Sequence, residues 1–364
     1  MGTAKISGVR LAGLASAIPR TVQTVAEAFP VFGEAATQKI SESTGVRQRH
    51  VVPPGVCTSD LCLAAAERLL EELNWGRGSV DGLIFVSQTP DYVLPATSCA
   101  LHGRLQLAKE CAAFDLNLGC SGYVYGLWVA TQLISGGSLC RVLLLVGDTI
   151  SRITSPRDRS VALLFGDAGT ATALERAEGS PPLSFSLGTD GNGQDHLVVP
   201  AGGFRQPCTE ASARRTVRED GNIRSDEDLY MNGAEIFTFT LREVPPLLKS
   251  VLGTAGWDVS EVDAFIMHQA NRFMLEYLAK RMRLPSEKVV VALENRGNTS
   301  SASVPLAMTD ALAGRLRQES LRLVLAGFGV GFSWAAVALT CGPMVMPELV
   351  LVDAPVASTH GEVA

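Results

Sequence analysis

The feature that most constrains this chain is an internal similarity, because two stretches far apart in the sequence read as the same succession of elements. Asp60 to Asn74 is an amphipathic helical run, followed by the apolar strand Val80-Asp81-Gly82-Leu83-Ile84-Phe85-Val86. Leu241 to Gly253 is again a helical run, followed by Val262-Asp263-Ala264-Phe265-Ile266-Met267-His268, with the same Val-Asp opening. The parallel continues. Ala112 to Leu118 reads as a buried strand, leading through Gly119 into a helix and then the strand Arg141 to Asp148. Its later counterpart is Val289 to Leu293, the turn Arg296-Gly297-Asn298, a helix from about Ser303 and the strand Arg322 to Ala326. A duplicated α/β protein follows. Its continuous apolar strands alternate with helices, which predicts mainly parallel sheets covered on both faces. Residues 1–175 form the first half, 176–342 the second, and 343–364 a tail with a strand-like run at Leu349 to Val352. Gly202 to Asp228, rich in Arg, Glu, Asp and Ser, reads as a long surface excursion within the second half.

Composition agrees with a compact enzyme-sized globule and removes several function classes. With 364 residues, 46% of them hydrophobic, the chain can bury a large core. The formal net charge of -6 is dispersed and no basic run is present, so nucleic acid is not expected as a partner. The N-terminal apolar stretch between Arg10 and Arg20 is too short and polar for a signal or a membrane span, and Ile6 stands where myristoylation needs Ser or Thr. A cytoplasmic protein that does not enter the membrane is the expectation. Eight cysteines without a CxxC pair or zinc-type spacing read as reduced thiols, with no metal site.

Three residues stand where α/β proteins do chemistry. Cys120, in Asn117-Leu118-Gly119-Cys120-Ser121-Gly122, lies at a strand-to-helix junction. The positive end of the helix dipole would favour its thiolate and lower its pKa, although a buried cysteine in a tight turn fits the same residues. His268 ends a buried strand, at the carboxyl edge of a sheet where sites gather. Asn298, in Gly297-Asn298-Thr299-Ser300-Ser301, serves equally well as a polar turn or a helix cap. The duplication places the Asn298 turn opposite Cys120 and His268 at the equivalent strand edge, so the three should converge. The turn Gly327-Phe328-Gly329-Val330-Gly331-Phe332 falls beside the same edge and offers backbone N–H groups to an oxyanion; it lacks the strand-to-helix context of a dinucleotide fingerprint.

Taken in order, six stretches resemble the β-ketoacyl-ACP synthase III family over about residues 5 to 341. They are Thr44 to His50, the Cys120 elbow, Phe165-Gly166-Asp167-Ala168-Gly169, His268-Gln269-Ala270-Asn271, Gly297 to Ser303, and Gly329 to Trp334. The resemblance implies the thiolase-like five-layer αβαβα fold, a homodimer and a ping-pong reaction without cofactor. An acyl-CoA or acyl-ACP thioester would acylate Cys120. The N–H groups of Cys120 and Val330 would form the oxyanion hole, and malonyl-ACP would be decarboxylated against His268 and Asn298. It further implies substrate-binding positions at Arg159, Asn271, Leu94, Phe237 and Gly233, with Arg272 on the surface that docks acyl carrier protein. Arg159 matches an arginine on the CoA side. Asn271 reads as an orienting neighbour of His268. Leu94 aligns with the position from which a partner subunit caps the acyl pocket. For Asp167 and Glu235 the reading is turn capping and structural support.

The chain also departs from the family pattern. Lys39 and Ser43 stand where well-known members carry a tryptophan and an arginine around the adenine of CoA, and Arg272 is followed by Phe273 where the family's arginine falls one position later. These changes point to a donor held without a stacked adenine, on a carrier protein or an unusual CoA thioester, in a fatty-acid or specialised pathway. Acyl transfer without condensation, and a catalytically idle subunit of a larger synthase, are the alternatives; an intact Cys-His-Asn set argues against both.

Overall fold

The computed structural model describes residues 1–353. In chain order the strands of its two large sheets are β1 (Gly2–Ile6), β2 (Val9–Pro19), β3 (Gly82–Val86), β4 (Ala112–Leu116), β5 (Arg141–Asp148) and β6 (Ala168–Arg176), then β7 (Leu183–Thr189), β8 (Ala264–Met267), β9 (Leu321–Gly329), β10 (Ser333–Cys341) and β11 (Val350–Val352). One sheet runs β11-β2-β6-β5-β3-β4 and the other β1-β7-β10-β9-β8. The expected duplication is present as two sheets, but they exchange terminal strands. The first strand of the chain, β1, pairs with β7 in the second sheet, while β11 from the tail pairs with β2 in the first. The division at residue 175 therefore follows chain order and not sheet membership.

Five principal helices complete the layers: α1 (Thr58–Glu72), α2 (Gly122–Ser135), α3 (Gly233–Ala255), α4 (Arg272–Met282) and α5 (Ser303–Leu316). Helix α2, Gly-Tyr-Val-Tyr-Gly-Leu-Trp-Val-Ala-Thr-Gln-Leu-Ile-Ser, has almost no polar face, so it is stable only with protein on both sides. It lies with α5 between the two sheets, where Tyr123, Leu127, Val304 and Met308 join Leu144 and Leu325 in one core. Helix α1 covers the outer face of the first sheet, and α3 with α4 covers that of the second. The result is the αβαβα sandwich.

The prediction of mainly parallel sheets is wrong. β3 pairs in parallel with β4 and β5, β8 with β9 and β11 with β2, but β5-β6, β6-β2, β9-β10, β10-β7 and β7-β1 are antiparallel, so the sheets are mixed. Strands covered on both faces read as unbroken apolar runs in either direction, and the hairpin that joins β9 to β10 fixes the antiparallel choice there. Nor does Val289 to Leu293 form a ladder matching β4. Only a bridge from Val289 to Phe265 is present, and the Gln269 side chain takes two further backbone groups: its Nε2 donates to Val290 O and its Oε1 accepts from Ala292 N. The Gly202 to Asp228 excursion is folded. It contains the ladder Thr216–Val217 with Ile223–Arg224, and the Arg215 guanidinium is held by both oxygens of Asp228 at 3.0 and 2.8 Å.

Candidate active site

The middle helices place the site, since Cys120 stands directly before α2 and Asn298 before the short 3-10 turn Ser300–Ala302 that leads into α5. Cys120, His268 and Asn298 are 6%, 2% and 5% exposed, so all three are screened from bulk water. Their convergence requires close backbone approach. A Cβ on Gly329, whose φ is +154°, would stand 3.0 Å from the Cys120 sulfur, so this position of the β9–β10 turn must be glycine. On the other side of the Cys120 thiol, a Cβ on Gly119 would collide with Gln88 Oε1.

The thiol itself corrects the sequence expectation. Hydrogen bonds from the N–H groups of Val330 and Cys120 and from the Ser300 hydroxyl favour a thiolate, but burial and the nearby Asp148 carboxylate outweigh them and push the Cys120 thiol up to about 12. The helix end was legible in the sequence; the dryness of the site was not. We predict that alkylation of Cys120 by iodoacetamide rises about tenfold per pH unit from pH 6 to 9 without a plateau, because the thiolate fraction grows tenfold per unit below the pKa. A plateau near neutrality, read from alkylation rates mapped to Cys120, would show that the helix end wins after all.

His268 continues from β8, and its N–H donates to Ala326 O at 2.7 Å. Burial lowers the ring to about 3, with the Ser300 carbonyl as the one opposing group, so at neutral pH it is an uncharged imidazole. Its Nδ1 meets the Ser303 hydroxyl at 2.7 Å, and Gln269 N–H points to the same oxygen at 3.4 Å. Ser303 is thus the residue that orients the imidazole. Asn271, expected in that role, instead caps α4 by accepting from Met274 N at 2.8 Å.

Asn298 is fixed at both its backbone and its amide. Its N–H donates to Leu164 O at 2.8 Å and its carbonyl accepts from Gly166 N at 3.1 Å, which ties the turn to the first half of the chain. Its Oδ1 accepts from Ser300 N at 2.9 Å and its Nδ2 reaches Ala270 O at 3.4 Å. With the oxygen occupied, the donor end of the amide is the one left to face a substrate.

Behind these groups lies a residue that the sequence reading did not single out. Asp148, at the end of β5, is fully buried and accepts four hydrogen bonds: Gln88 N at 2.7 Å, Ser87 Oγ at 3.1 Å, Ser301 N at 3.1 Å and Ser301 Oγ at 2.6 Å. It binds the end of β3 to the turn that follows Asn298. The same turn holds Ser300 at a left-handed φ of 50°. Burial raises the Asp148 carboxyl above the ordinary range, opposed by the Ser301 hydroxyl and the backbone donors.

The remaining sequence candidates lie further out. Arg159 is exposed, and its backbone N–H donates to Asn222 Oδ1. Leu94 is 78% exposed beside Tyr92 and Val93, outside the cavity that Cys120 lines, whereas Val93 is on that cavity's rim. Gly233 opens α3 in solvent, and Phe237 stacks on Phe273 at 5.6 Å between ring centroids instead of lining the Cys120 cavity. Arg272 lies across Gly45 and pairs with Glu294 at 2.9 Å. Lys39 and Ser43 both face solvent on the helix Glu34–Thr44. Asp167 accepts from Val52 N and from Ser151, as a structural carboxylate does, and Glu235 is exposed in the first turn of α3.

Comparison with known proteins matches this arrangement. Residues 114–191 match the family model 3-oxoacyl-[acyl-carrier-protein (ACP)] synthase III, and residues 252–341 match the model for its C-terminal part. The β-ketoacyl-[acyl-carrier-protein] synthase III of Desulfitobacterium hafniense is 37% identical over 304 residues, 83% of this chain and 88% of that protein. The enzyme of the same name from Symbiobacterium thermophilum is 35% identical over 340 residues, 93% of this chain and 99% of that protein. The crystal structure of a 3-oxoacyl-(acyl-carrier protein) synthase from Burkholderia xenovorans superimposes with a TM-score of 0.92 at 45% identity, covering 96% of this chain and 99% of that one. The chain belongs to the β-ketoacyl-[acyl-carrier-protein] synthase III family of condensing enzymes.

Proposed function

We propose that this protein is a ketosynthase that loads an acyl group onto Cys120 and condenses it with malonyl-ACP, releasing carbon dioxide and a β-ketoacyl thioester. The observation that carries the reading is the pairing of a buried thiol with two uncharged, fixed hydrogen-bond donors, His268 and Asn298. Enolate formation needs donors that stabilise developing negative charge without competing as nucleophiles.

In the first half-reaction the Cys120 sulfur attacks the acyl thioester carbonyl, and the N–H groups of Cys120 and Val330 receive the oxyanion. The tetrahedral intermediate expels the donor thiol, which leaves with the proton that Cys120 gives up. The neutral imidazole suits that transfer. The Ser303 hydroxyl can either accept from Nδ1–H or donate to Nδ1, so the ring can hold its proton on either nitrogen, with the Ser300 carbonyl as a second acceptor beside it. In the second half-reaction, loss of carbon dioxide from malonyl-ACP puts charge on the thioester oxygen, where Nε2–H of His268 and Nδ2–H of Asn298 meet it. The enolate carbon attacks the Cys120 thioester, the same N–H pair holds the second oxyanion, and Cys120 departs as a thiolate that takes up one proton from solvent, balancing the negative charge that the malonyl carboxylate brought in. The chemistry draws on no metal or organic cofactor.

The proposed assembly is a homodimer, with Leu94 reaching toward a second copy and an acyl carrier protein delivering malonyl groups. Arg159 is proposed to meet phosphate, Gly233 and Phe237 to border the path of the pantetheine arm with Asn271, and Arg272 to stand on the carrier-facing surface. Among the described residues no helix is long and apolar enough to cross a membrane. The test is a paired assay of carbon dioxide release and β-ketoacyl product with malonyl-ACP and an acyl donor. Acyl turnover without carbon dioxide would replace condensation by simple acyl transfer.

A further inference from the structure

The nucleophile opens onto a cavity whose walls restrict what it carries. The cavity measures about 820 Å³, with Cys120 on one wall and Ile150, Ile153, Phe165, Leu197 and Leu229 among the apolar side chains that surround it. Neither His268 nor Asn298 lines it; the proposed enolate donors border it only through Ser300, whose N–H holds the Asn298 amide. This is the side on which the acyl group, and not the malonyl carrier, would lie.

The far wall comes from the segment that the sequence presented as a surface excursion. Ala201, Gly202, Gly203 and Cys208 form part of it, and the two glycines leave it without bulk; a Cβ on Gly203 would meet nothing within 4 Å. The wall is tied in place. Ala201 N donates to Asp226 O at 2.8 Å, Leu229 N to Ile153 O at 2.6 Å, and Leu197 pairs with Met231 in a short antiparallel ladder. The walls that one copy contributes are therefore built into the fold before any ligand arrives, and the cap proposed from Leu94 of a second copy would close the open side.

Its size and polarity select among acyl groups. Pockets of roughly 300–1,000 Å³ hold drug-sized ligands, and an acetyl group would leave most of this one unfilled. No lysine, arginine or histidine lines it, and its one carboxylate, Glu227, already accepts from the Ser212 hydroxyl at 2.7 Å. A carboxyl-bearing acyl chain would thus find a negative charge and no cation. Resting on the ketosynthase reading above, we infer that Cys120 carries a medium-chain, uncharged aliphatic acyl group in preference to acetyl.

The experiment is loading of the full chain with acetyl-, octanoyl-, lauroyl- and succinyl-pantetheine, followed by intact mass at timed intervals. Pantetheine thioesters lack the adenine, so the outcome does not depend on how Lys39 and Ser43 treat CoA. Adducts are assigned by peptide mapping, because Cys208 lines the same cavity. Burial of each methylene favours the longer chain roughly fourfold, so octanoyl should load Cys120 at least about tenfold faster than acetyl, with succinyl slowest. Val199→Trp, on the half-buried wall, should reduce the octanoyl-to-acetyl ratio by about tenfold. Acetyl loading as fast as octanoyl would overturn the inference and leave the ketosynthase reading intact. Failure of every thioester to acylate Cys120 would overturn both. Should the tryptophan variant not fold, the ratio measured on the unaltered chain decides alone.

Discussion

Cys120→Ala is expected to lower condensation by at least about 10⁴-fold and to abolish the acyl adduct, while decarboxylation of malonyl-ACP continues. The two effects separate because the groups are held independently. Asn298 is fixed by Leu164, Gly166 and Ser300, and His268 by Ser303 and the end of β8, so neither donor depends on the sulfur for its orientation. Alanine removes the proposed nucleophile and leaves the proposed enolate donors in place. Carbon dioxide release from labelled malonyl-ACP, measured beside product formation, gives both numbers. Loss of decarboxylation together with condensation would mean that the thiol participates in the enolate step, and the roles assigned to His268 and Asn298 would have to be redrawn.

The second large effect concerns stability. Asp148→Ala should cost about 3 kcal/mol or more, because the Gln88 and Ser301 N–H groups would be left buried without an acceptor, at roughly 1–3 kcal/mol each. Against a total of about 5–15 kcal/mol for a typical domain this is a major loss. Asp148→Asn, which retains one carbonyl oxygen, should lose less. Urea denaturation of the three proteins ranks them, and a loss below about 1 kcal/mol for alanine would mean that water or rearranged side chains satisfy the freed donors. Folded Asp148→Asn should also decarboxylate malonyl-ACP more slowly, since the Ser300-Ser301 turn that holds the Asn298 amide loses part of its anchor.

How much of this was legible in the sequence depends on the distance over which each signal acts. Cys120, His268 and Asn298 were visible because each sits at a local junction, a strand edge or a helix start, that a short window contains. Asp148 was not, since its partners Ser87 and Ser301 are 61 and 153 positions away and an aspartate ending an apolar strand looks like an ordinary polar stop. Ser303 lay within a quoted motif, but nothing in a one-dimensional pattern says that its hydroxyl faces a histidine 35 residues earlier. Asn271 was misread for the complementary reason: it stands close to His268 in sequence, while its side chain turns to the helix it begins. The thiol pKa failed at another level, because the dipole of α2 follows from local order and desolvation follows from the whole core. Strand direction was hidden by composition, as doubly covered strands carry no polar face to reveal how their neighbours run.

The exchange of end strands sets an order of events on the ribosome. β1 is made before every other strand of the two sheets, yet its partner β7 spans Leu183–Thr189, so it must wait unpaired through the synthesis of the first sheet's core strands. β2 meets its last neighbour only when Val350–Val352 has been made. A nascent chain released early, or a gene split between residues 176 and 183, would yield pieces that each expose a vacant sheet edge, a template for wrong pairing. The two sheets are complete only when β1 and β11 are both available, and a split-gene complementation experiment should recover folded material only when the two pieces are produced together.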